Sequence, residues 1–342
     1  MANKNLNAAK TAKKDEFYTQ LTDIERELQH YWQHFQGKTV LCNCDDPYES
    51  NFFKYFALRF NQLGLKKLIC TCYDGSPITG TQLSLFSLDA EGNEKKTAYK
   101  VEITEVGDMN GDGAIDLTDV EYLIQNNKNV LSALKGNGDF RSQECIELLK
   151  EADIVVTNPP FSLFREYISQ LMEYGKKFLI IGPLNALHYK EVFPFVVKNH
   201  IWLGYNNGAK EYDNPYGGKQ KMGNTGWYTN IDHNKRHEEL DLVCHYSPEE
   251  YPHYDNYDAI DVGKVQDIPF DWEGVMGVPD TILGQLNPNQ FEIIGLGSGD
   301  LAKQIGISKN YRGRTDLAFT RDGKSKCPYS RILIRNKNPK KI

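Results

Sequence analysis

Asn158-Pro159-Pro160-Phe161 is the stretch of this 342-residue chain best equipped for chemistry. It directly follows the apolar, β-rich run Ile154-Val155-Val156. Two consecutive prolines hold φ near −65° and remove two backbone donors, so the turn is stiff and presents carbonyls. The side-chain oxygen of Asn158 and the carbonyl of Pro159 can then both accept from one exocyclic amino group. Those two acceptors draw the nitrogen lone pair out of conjugation with its ring and make it a nucleophile. Phe161 offers a face on which that ring can stack. The chemistry expected of such a turn is methylation of a planar amino nitrogen, most often N6 of adenine. A Pro-Pro turn after a buried strand is the plainer reading of the same four residues, and the surrounding elements decide between them.

Those elements are favourable. Asp153 to Phe161 reads as a strand and a tight turn, and Leu163 to Met172 as a helix with Phe164, Ile168 and Leu171 on one face. Upstream, Thr22-Asp23-Ile24-Glu25 has the form of a capping box, with Ile24, Leu28, Trp32 and Phe35 spaced as one helix face. Thr39–Cys44 and Lys67–Tyr73 read as strands, and Phe53, Phe56, Phe60 and Leu63 as a helical stripe that packs in the core. Residues 75–135 form an insertion with β-like patches at 82–86 and 98–104 and a helical stretch near 119–134. A helix near 142–150, a strand at Phe178–Gly182 and a helix at Glu191–Val197 follow. Strands alternating with helices predict an α/β fold with a parallel sheet covered on both faces, whose ligands bind at the carboxyl ends of the strands. After about residue 205 the pattern breaks into Gly, Asn, Tyr and charged residues, with short strands near 226–231, 240–245, 291–295 and 330–335. This predicts a smaller, irregular α+β domain over 205–342.

Composition sets the class. With 40 % hydrophobic and 25 % charged residues the chain is an ordinary globular one. Residues 1–14 read as a disordered polar tail without a signal peptide, and no apolar run reaches the ~18 residues of a membrane span. A cytoplasmic protein with no membrane partner is expected. Seven cysteines without a secretion signal argue against a disulfide framework, and the pairs Cys42/Cys44 and Cys70/Cys72 lack the spacing usual for zinc. Net charge is −6, yet residues 301–342 carry twelve Lys and Arg against two acids, a local +10 that leaves −16 on residues 1–300. A local basic patch matters more for phosphate contact than net charge, although charge blocks are also common in solvated tails.

Several further segments, in order, make the chain resemble the EcoRI-like adenine-specific (N6) DNA methyltransferases. They are Asp15–Gln20 (DEFYTQ), Cys42–Phe56 (CNCDDPYESNFFKYF), Gly138-Asp139-Phe140, the Asn-Pro-Pro-Phe tetrad, Gly226–Asn230 (GWYTN), Asn289–Glu292 (NQFE) and Arg331–Arg335 (RILIR). The resemblance runs from about Lys14 to Lys337. It implies a Rossmann-like S-adenosylmethionine-dependent methyltransferase sheet over 15–204 and a DNA target-recognition domain over 205–342. It implies that Phe17, Tyr18 and Thr19 line the methionine end of the cofactor pocket, and that Asp45, Asp46 and Pro47 form the acidic turn at the methionine amino group. Asp74 would bond the ribose hydroxyls, and Asp139 and Phe140 the cofactor adenine, with Asn158 counted among the cofactor contacts as well. Asn158, Pro159, Pro160 and Phe161 would be catalytic. The implied reaction transfers methyl from S-adenosylmethionine to N6 of a flipped adenine in duplex DNA, GAATTC being the first site to try. A cognate restriction endonuclease would be a functional, not a physical, partner, and the enzyme a monomer. One departure stands out: the loop Pro47–Asn51 has no glycine where the wider class has Gly-x-Gly.

Two other patterns compete for attention. Asp108, Asn110, Asp112, Asp116 and Asp119, with Gly113 at the sixth position, have the spacing of an EF-hand-type calcium loop in which Asp119 replaces the usual Glu. The same residues also make an acidic turn that caps a helix. Gly295-Leu-Gly297-Ser-Gly299 imitates a nucleotide loop, but Gly306 and Gly313 interrupt what should be its helix. The alternatives left open are an amino-group methyltransferase acting on RNA adenine or a protein glutamine, and a calcium-binding interaction module on an inert methyltransferase fold.

Overall fold

The computed structural model describes residues 18–44, 50–72, 98–109, 111–113, 115–126, 130–207, 210–213 and 219–340. The strands are β1 (Tyr18–Thr19), β2 (Thr39–Asn43), β3 (Lys67–Thr71), β4 (Tyr99–Ile103), β5 (Leu131–Ala133), β6 (Ile154–Thr157), β7 (Lys177–Pro183), β8 (Trp202–Leu203), β9 (Lys210–Asp213), β10 (Lys219–Met222), β11 (Thr225–Thr229), β12 (Ile260–Asp261), β13 (Val275–Pro279), β14 (Phe291–Leu296), β15 (Phe319–Arg321), β16 (Lys324–Lys326) and β17 (Arg331–Asn336). They divide between two compact units, Met1–Ala186 with Gly204–Ile231, and Leu187–Leu203 with Asp232–Ile342.

The first unit is built on a large mixed sheet ordered β5-β4-β3-β2-β6-β7-β11. The central strands β3, β2, β6 and β7 are parallel. They are the runs without alternation, Val40-Leu41-Cys42 and Ile154-Val155-Val156, buried along their whole length as strands covered on both faces must be. The all-parallel expectation needs correction at the edges. β4 adds antiparallel to β3 and β5 antiparallel to β4, so the described part of the 75–135 insertion widens the sheet, and β11 adds antiparallel to β7. The helical reading of 119–134 is also too long. The helix is Leu117–Asn126, and residues 131–133 form β5, where Val130 and Leu134 turn inward.

The capping box at Thr22 does not form. The helix begins one residue earlier, at Leu21, and its cap Gln20 makes no side-chain bond. Its apolar stripe behaves as expected over Ile24 and Leu28, while Trp32 lies in a following 3-10 turn. In the second unit a four-stranded sheet, β12-β13-β17-β14, is joined by the two-stranded ribbon β15-β16. The strand expected at 240–245 is absent; Cys244 makes one isolated bridge to Pro269. The glycines that imitate a nucleotide loop serve packing instead. A Cβ on Gly295 would lie 2.5 Å from Ile305 and one on Gly297 2.4 Å from Leu317. Only the six-residue helix Gly299–Gln304 follows them.

Candidate active site

Residues at the carboxyl ends of the parallel strands carry the candidate chemistry. β2 ends at Asn43 and β6 at Thr157, and the Thr157 hydroxyl donates to the Asn43 carbonyl, which keeps the two strand ends level. Asn158 follows at once and is partly buried, and Pro159 is buried. Pro160 turns the chain with ψ 123° and its carbonyl accepts from Leu163 N at 3.0 Å, closing a 3-10 turn over Phe161–Leu163 that opens the helix Phe164–Glu173. Phe161 is 7 % exposed and belongs to the apolar cluster of the first unit. Gly182 on β7 leaves the space that the Phe164 ring fills, since a Cβ there would sit 2.2 Å from Cε2.

Asp139 and Phe140 come to the same place. Gly138 takes φ +76°, a left-handed turn that suits glycine, between β5 and the helix Gln143–Glu151. The Phe140 ring meets Tyr167 edge-on at 5.0 Å, and its carbonyl accepts from Gln170 Nε2 at 3.2 Å, so the segment lies on the helix that follows the tetrad. The Tyr167 hydroxyl in turn donates to Asn43 Oδ1. Arg141 grips the Asp139 carboxylate through Nε at 2.9 Å and Nη2 at 2.6 Å, and reaches Glu166 with Nη1 at 2.7 Å. The hydrogen-bonded guanidinium holds the Asp139 carboxyl below its usual range and pushes Arg141 upward. Asp139 is therefore a fixed, charged acceptor beside a buried aromatic ring.

Thr19 joins this edge from the other side. It is buried, and its carbonyl accepts from Asn51 Nδ2 at 2.8 Å, at the start of the helix Asn51–Leu58. Ser50 caps that helix through Phe52 N and Phe53 N. The tether ties β1 to the start of that helix. Phe17, Asp45, Asp46, Pro47 and Asp74 lie outside the described residues, as does the side chain of Tyr18.

Two residues to which sequence reading gave no role, Asn43 and Tyr167, support the site. Asn43 and Tyr167 link β2 to the tetrad helix, and only the pairing of distant strands could reveal them. Cys44 takes φ +70° directly after β2. A left-handed residue is what a Gly-x-Gly loop would supply there, and a non-glycine pays for it in strain. The glycine-free loop noted in the sequence, Pro47–Asn51, begins three residues further on.

The calcium loop gains no support. The Asp108 carboxylate accepts from the amides of Gly111, Asp112 and Gly113, and Asp119 from those of Met109 and Asp116. Asn110 lies outside the described residues, and among those described no group of three His, Cys, Asp or Glu side chains is placed to hold a metal. Cys42, Cys70, Cys72 and Cys145 are buried. No described helix is long and apolar enough to cross a membrane.

The structure thus sets a two-proline turn at the carboxyl edge of a mixed α/β sheet and joins it, through Tyr167, to an aspartate–phenylalanine pair. The chain matches the family described as adenine-specific methyltransferase EcoRI over residues 5–337 and belongs to that family. It is 44 % identical to the Type II methyltransferase M.EcoRI of Escherichia coli, over 99 % of this chain and 98 % of the relative. It is 35 % identical to the Type II methyltransferases M.MgeORF184P of Mycoplasma genitalium and M.MpnI of Mycoplasma pneumoniae, over 96 % and 97 % of this chain and 98 % of each relative. No solved structure matches the chain significantly. The protein is thus an adenine-specific DNA methyltransferase, with S-adenosylmethionine as the methyl donor its family implies and duplex DNA as its substrate.

Proposed function

We propose that the Asn158–Phe161 turn is the catalytic centre of a site-specific enzyme that methylates N6 of an adenine flipped out of duplex DNA. The observation that carries this reading is the convergence of the tetrad, Asp139-Phe140 and Thr19 on one edge of the sheet through named contacts. Asn158 Oδ1 and the Pro159 carbonyl accept from the adenine amino group and free its lone pair. Pro159 and Pro160 keep both acceptors in place without reorganisation. Phe161 is the aromatic ring of the tetrad on which the base stacks. Flipping is required because the target nitrogen lies inside the duplex.

The donor set suits S-adenosylmethionine, which when bound supplies an electrophilic sulfonium methyl. Asp139 accepts from its adenine amino group and Phe140 borders the ring; Phe17, Tyr18, Thr19, Asp45, Asp46, Pro47 and Asp74 complete the pocket. No strong base is needed, because the proton leaves an already cationic amine, and alignment supplies most of the rate. The sheet is accordingly a Rossmann-like methyltransferase sheet, and the second unit is the target-recognition part, with GAATTC as the first site to test. The enzyme acts as a monomer beside a restriction endonuclease with which it shares a site but no interface.

The test is direct. Protein incubated with S-adenosylmethionine and unmethylated genomic DNA produces N6-methyladenine, measured by mass spectrometry of the hydrolysed DNA. Asn158→Ala lowers the rate roughly 10²–10³-fold, the usual effect of removing one positioned polar group at a transition state. Wild-type protein that binds cofactor yet makes no N6-methyladenine would turn attention to RNA adenine or protein glutamine.

A further inference from the structure

We infer that the ribbon β15-β16, with the adjoining loop Lys309–Arg314, is the element that enters the DNA major groove. This rests on the proposed reading of the enzyme as one that acts on duplex DNA. Twelve cations lie in residues 301–342, and the structure gathers six of them, Lys309, Arg312, Arg314, Arg321, Lys324 and Lys326, on this ribbon and loop, all exposed. Among the described residues none of the six forms an ion pair with a carboxylate, whereas Arg331 and Arg335 of β17 pair with Asp261 and Glu292.

Within the ribbon, Arg321 stands directly opposite Lys324. Like charges opposed across two strands destabilise a sheet, and no described carboxylate within ion-pair distance offsets them. Arg321 Nη2 donates to the Glu249 carbonyl at 2.8 Å, which brings no counter-charge, so a local rule broken without a carboxylate to offset it points to an anion outside the fold.

The root of the ribbon is rigid. Phe319 packs with Tyr254, Ile307 and Leu317. The Thr320 hydroxyl donates to Asp255 at 2.8 Å, and Ala318 N to Asn256 Oδ1 at 3.0 Å. Asn310 holds the basic loop against the ribbon: its Oδ1 accepts from the amides of Arg312 and Arg314, and its Nδ2 reaches Cys327 Sγ just past β16 at 3.4 Å. The tip is a tight turn with Asp322 and Gly323 at φ 53° and 70°. Tyr311 and Tyr329, 53 % and 78 % exposed, flank it with hydroxyls that can donate to phosphates.

A two-stranded ribbon fits the ~12 Å major groove of B-form DNA and not the deep, narrow one of A-form RNA. The occupant is therefore duplex DNA, with Arg321, Lys324, Lys326 and the loop cations set against the phosphates that wall the groove.

The experiment compares wild-type protein, Arg321→Gln/Lys324→Gln/Lys326→Gln, and the control Lys38→Gln/Lys66→Gln/Lys150→Gln. The control residues are exposed: Lys38 and Lys66 directly precede β2 and β3, and Lys150 lies in the last turn of the helix leading to β6. Binding to a mixed-sequence DNA duplex and to the matching RNA duplex is followed by fluorescence anisotropy across salt concentrations, with cofactor binding and thermal melting as folding controls. On DNA, the ribbon variant loses roughly 2–3 from the slope of log K against log salt, about 0.9 for each phosphate it no longer neutralises, and the control does not. The variant also raises KM for DNA while cofactor binding stays unchanged. A ribbon variant with the wild-type slope, in a preparation whose wild type methylates DNA, overturns the ribbon assignment and leaves the enzyme reading intact. A slope change confined to RNA overturns it too. A wild type that neither binds nor methylates DNA overturns both.

Discussion

Cys44 shows at the scale of one residue how the site was made without the usual glycine. Its φ of +70° costs an L-residue about 1–2 kcal/mol, while glycine at the same place loses about 0.5–1 kcal/mol more chain entropy on folding. Cys44→Gly is expected to raise stability by up to about 1 kcal/mol, and Cys44→Val to lower it; urea denaturation of the three proteins checks this. A destabilised glycine variant would mean that the thiol contributes packing that outweighs the strain. The tetrad was legible because its chemistry is local, four adjacent residues whose backbone restrictions come with them. Asn43 and Tyr167 were not legible, because an asparagine at a strand end and a tyrosine in a helix acquire meaning only when 124 residues of intervening chain bring them together.

At the scale of elements, the three-stranded sheet β1-β9-β10 anchors Tyr18-Thr19, with Thr19 opposite Tyr212. The chain leading into β9 is itself held by Glu27. This fully buried carboxylate accepts from Tyr205 N at 2.6 Å, Asn206 N at 2.7 Å and the Tyr31 hydroxyl at 2.9 Å. Burial, the largest influence, raises its pKa, and the three donors oppose it. Gly204 is required there, since a Cβ would lie 2.3 Å from Glu27 Oε1. Glu27→Gln turns an amide donor toward backbone donors and is expected to cost about 2–3 kcal/mol, with Tyr31→Phe costing about 1 kcal/mol. Chemical denaturation measures both, and a Gln variant within 0.5 kcal/mol of wild type (roughly the spread of a neutral surface change) would sink the clamp. The Gly226–Asn230 segment, one of those that carried the family resemblance, proves structural: Trp227 is buried, and Tyr228, Thr229 and Asn230 stitch β11 to β7 through backbone groups of Pro183, Phe178 and Lys176.

At the scale of the whole molecule, charge and acid stability are distributed unevenly. The second unit buries His233, 4 % exposed, with Nε2 3.1 Å from the Leu203 carbonyl. Burial lowers its pKa from 6.5 to about 4. The unfolded chain therefore takes a proton near pH 6.5 that the folded chain refuses until about pH 4, so the stability is present above 6.5 and drains as pH falls through that window. The full loss is about 3 kcal/mol, and His233→Gln should flatten that part of the profile in melts taken from pH 8 to 4. An unchanged slope in the variant would assign the acid sensitivity elsewhere.

By itself the sequence determined the reaction class, the alternation of strands and helices in the first 200 residues and the basic bias of the last 42, because these are properties of neighbours along the chain: turn restriction, apolar period and charge count. Only the tertiary structure decided which strands run antiparallel, which family segments are structural, and which six of the twelve carboxyl-terminal cations gather on one ribbon and loop. Those are outcomes of long-range pairing. A cation on β17 and one on β15 read alike in sequence, and differ only because folding brings Asp261 to Arg331 and no described carboxylate to Arg321.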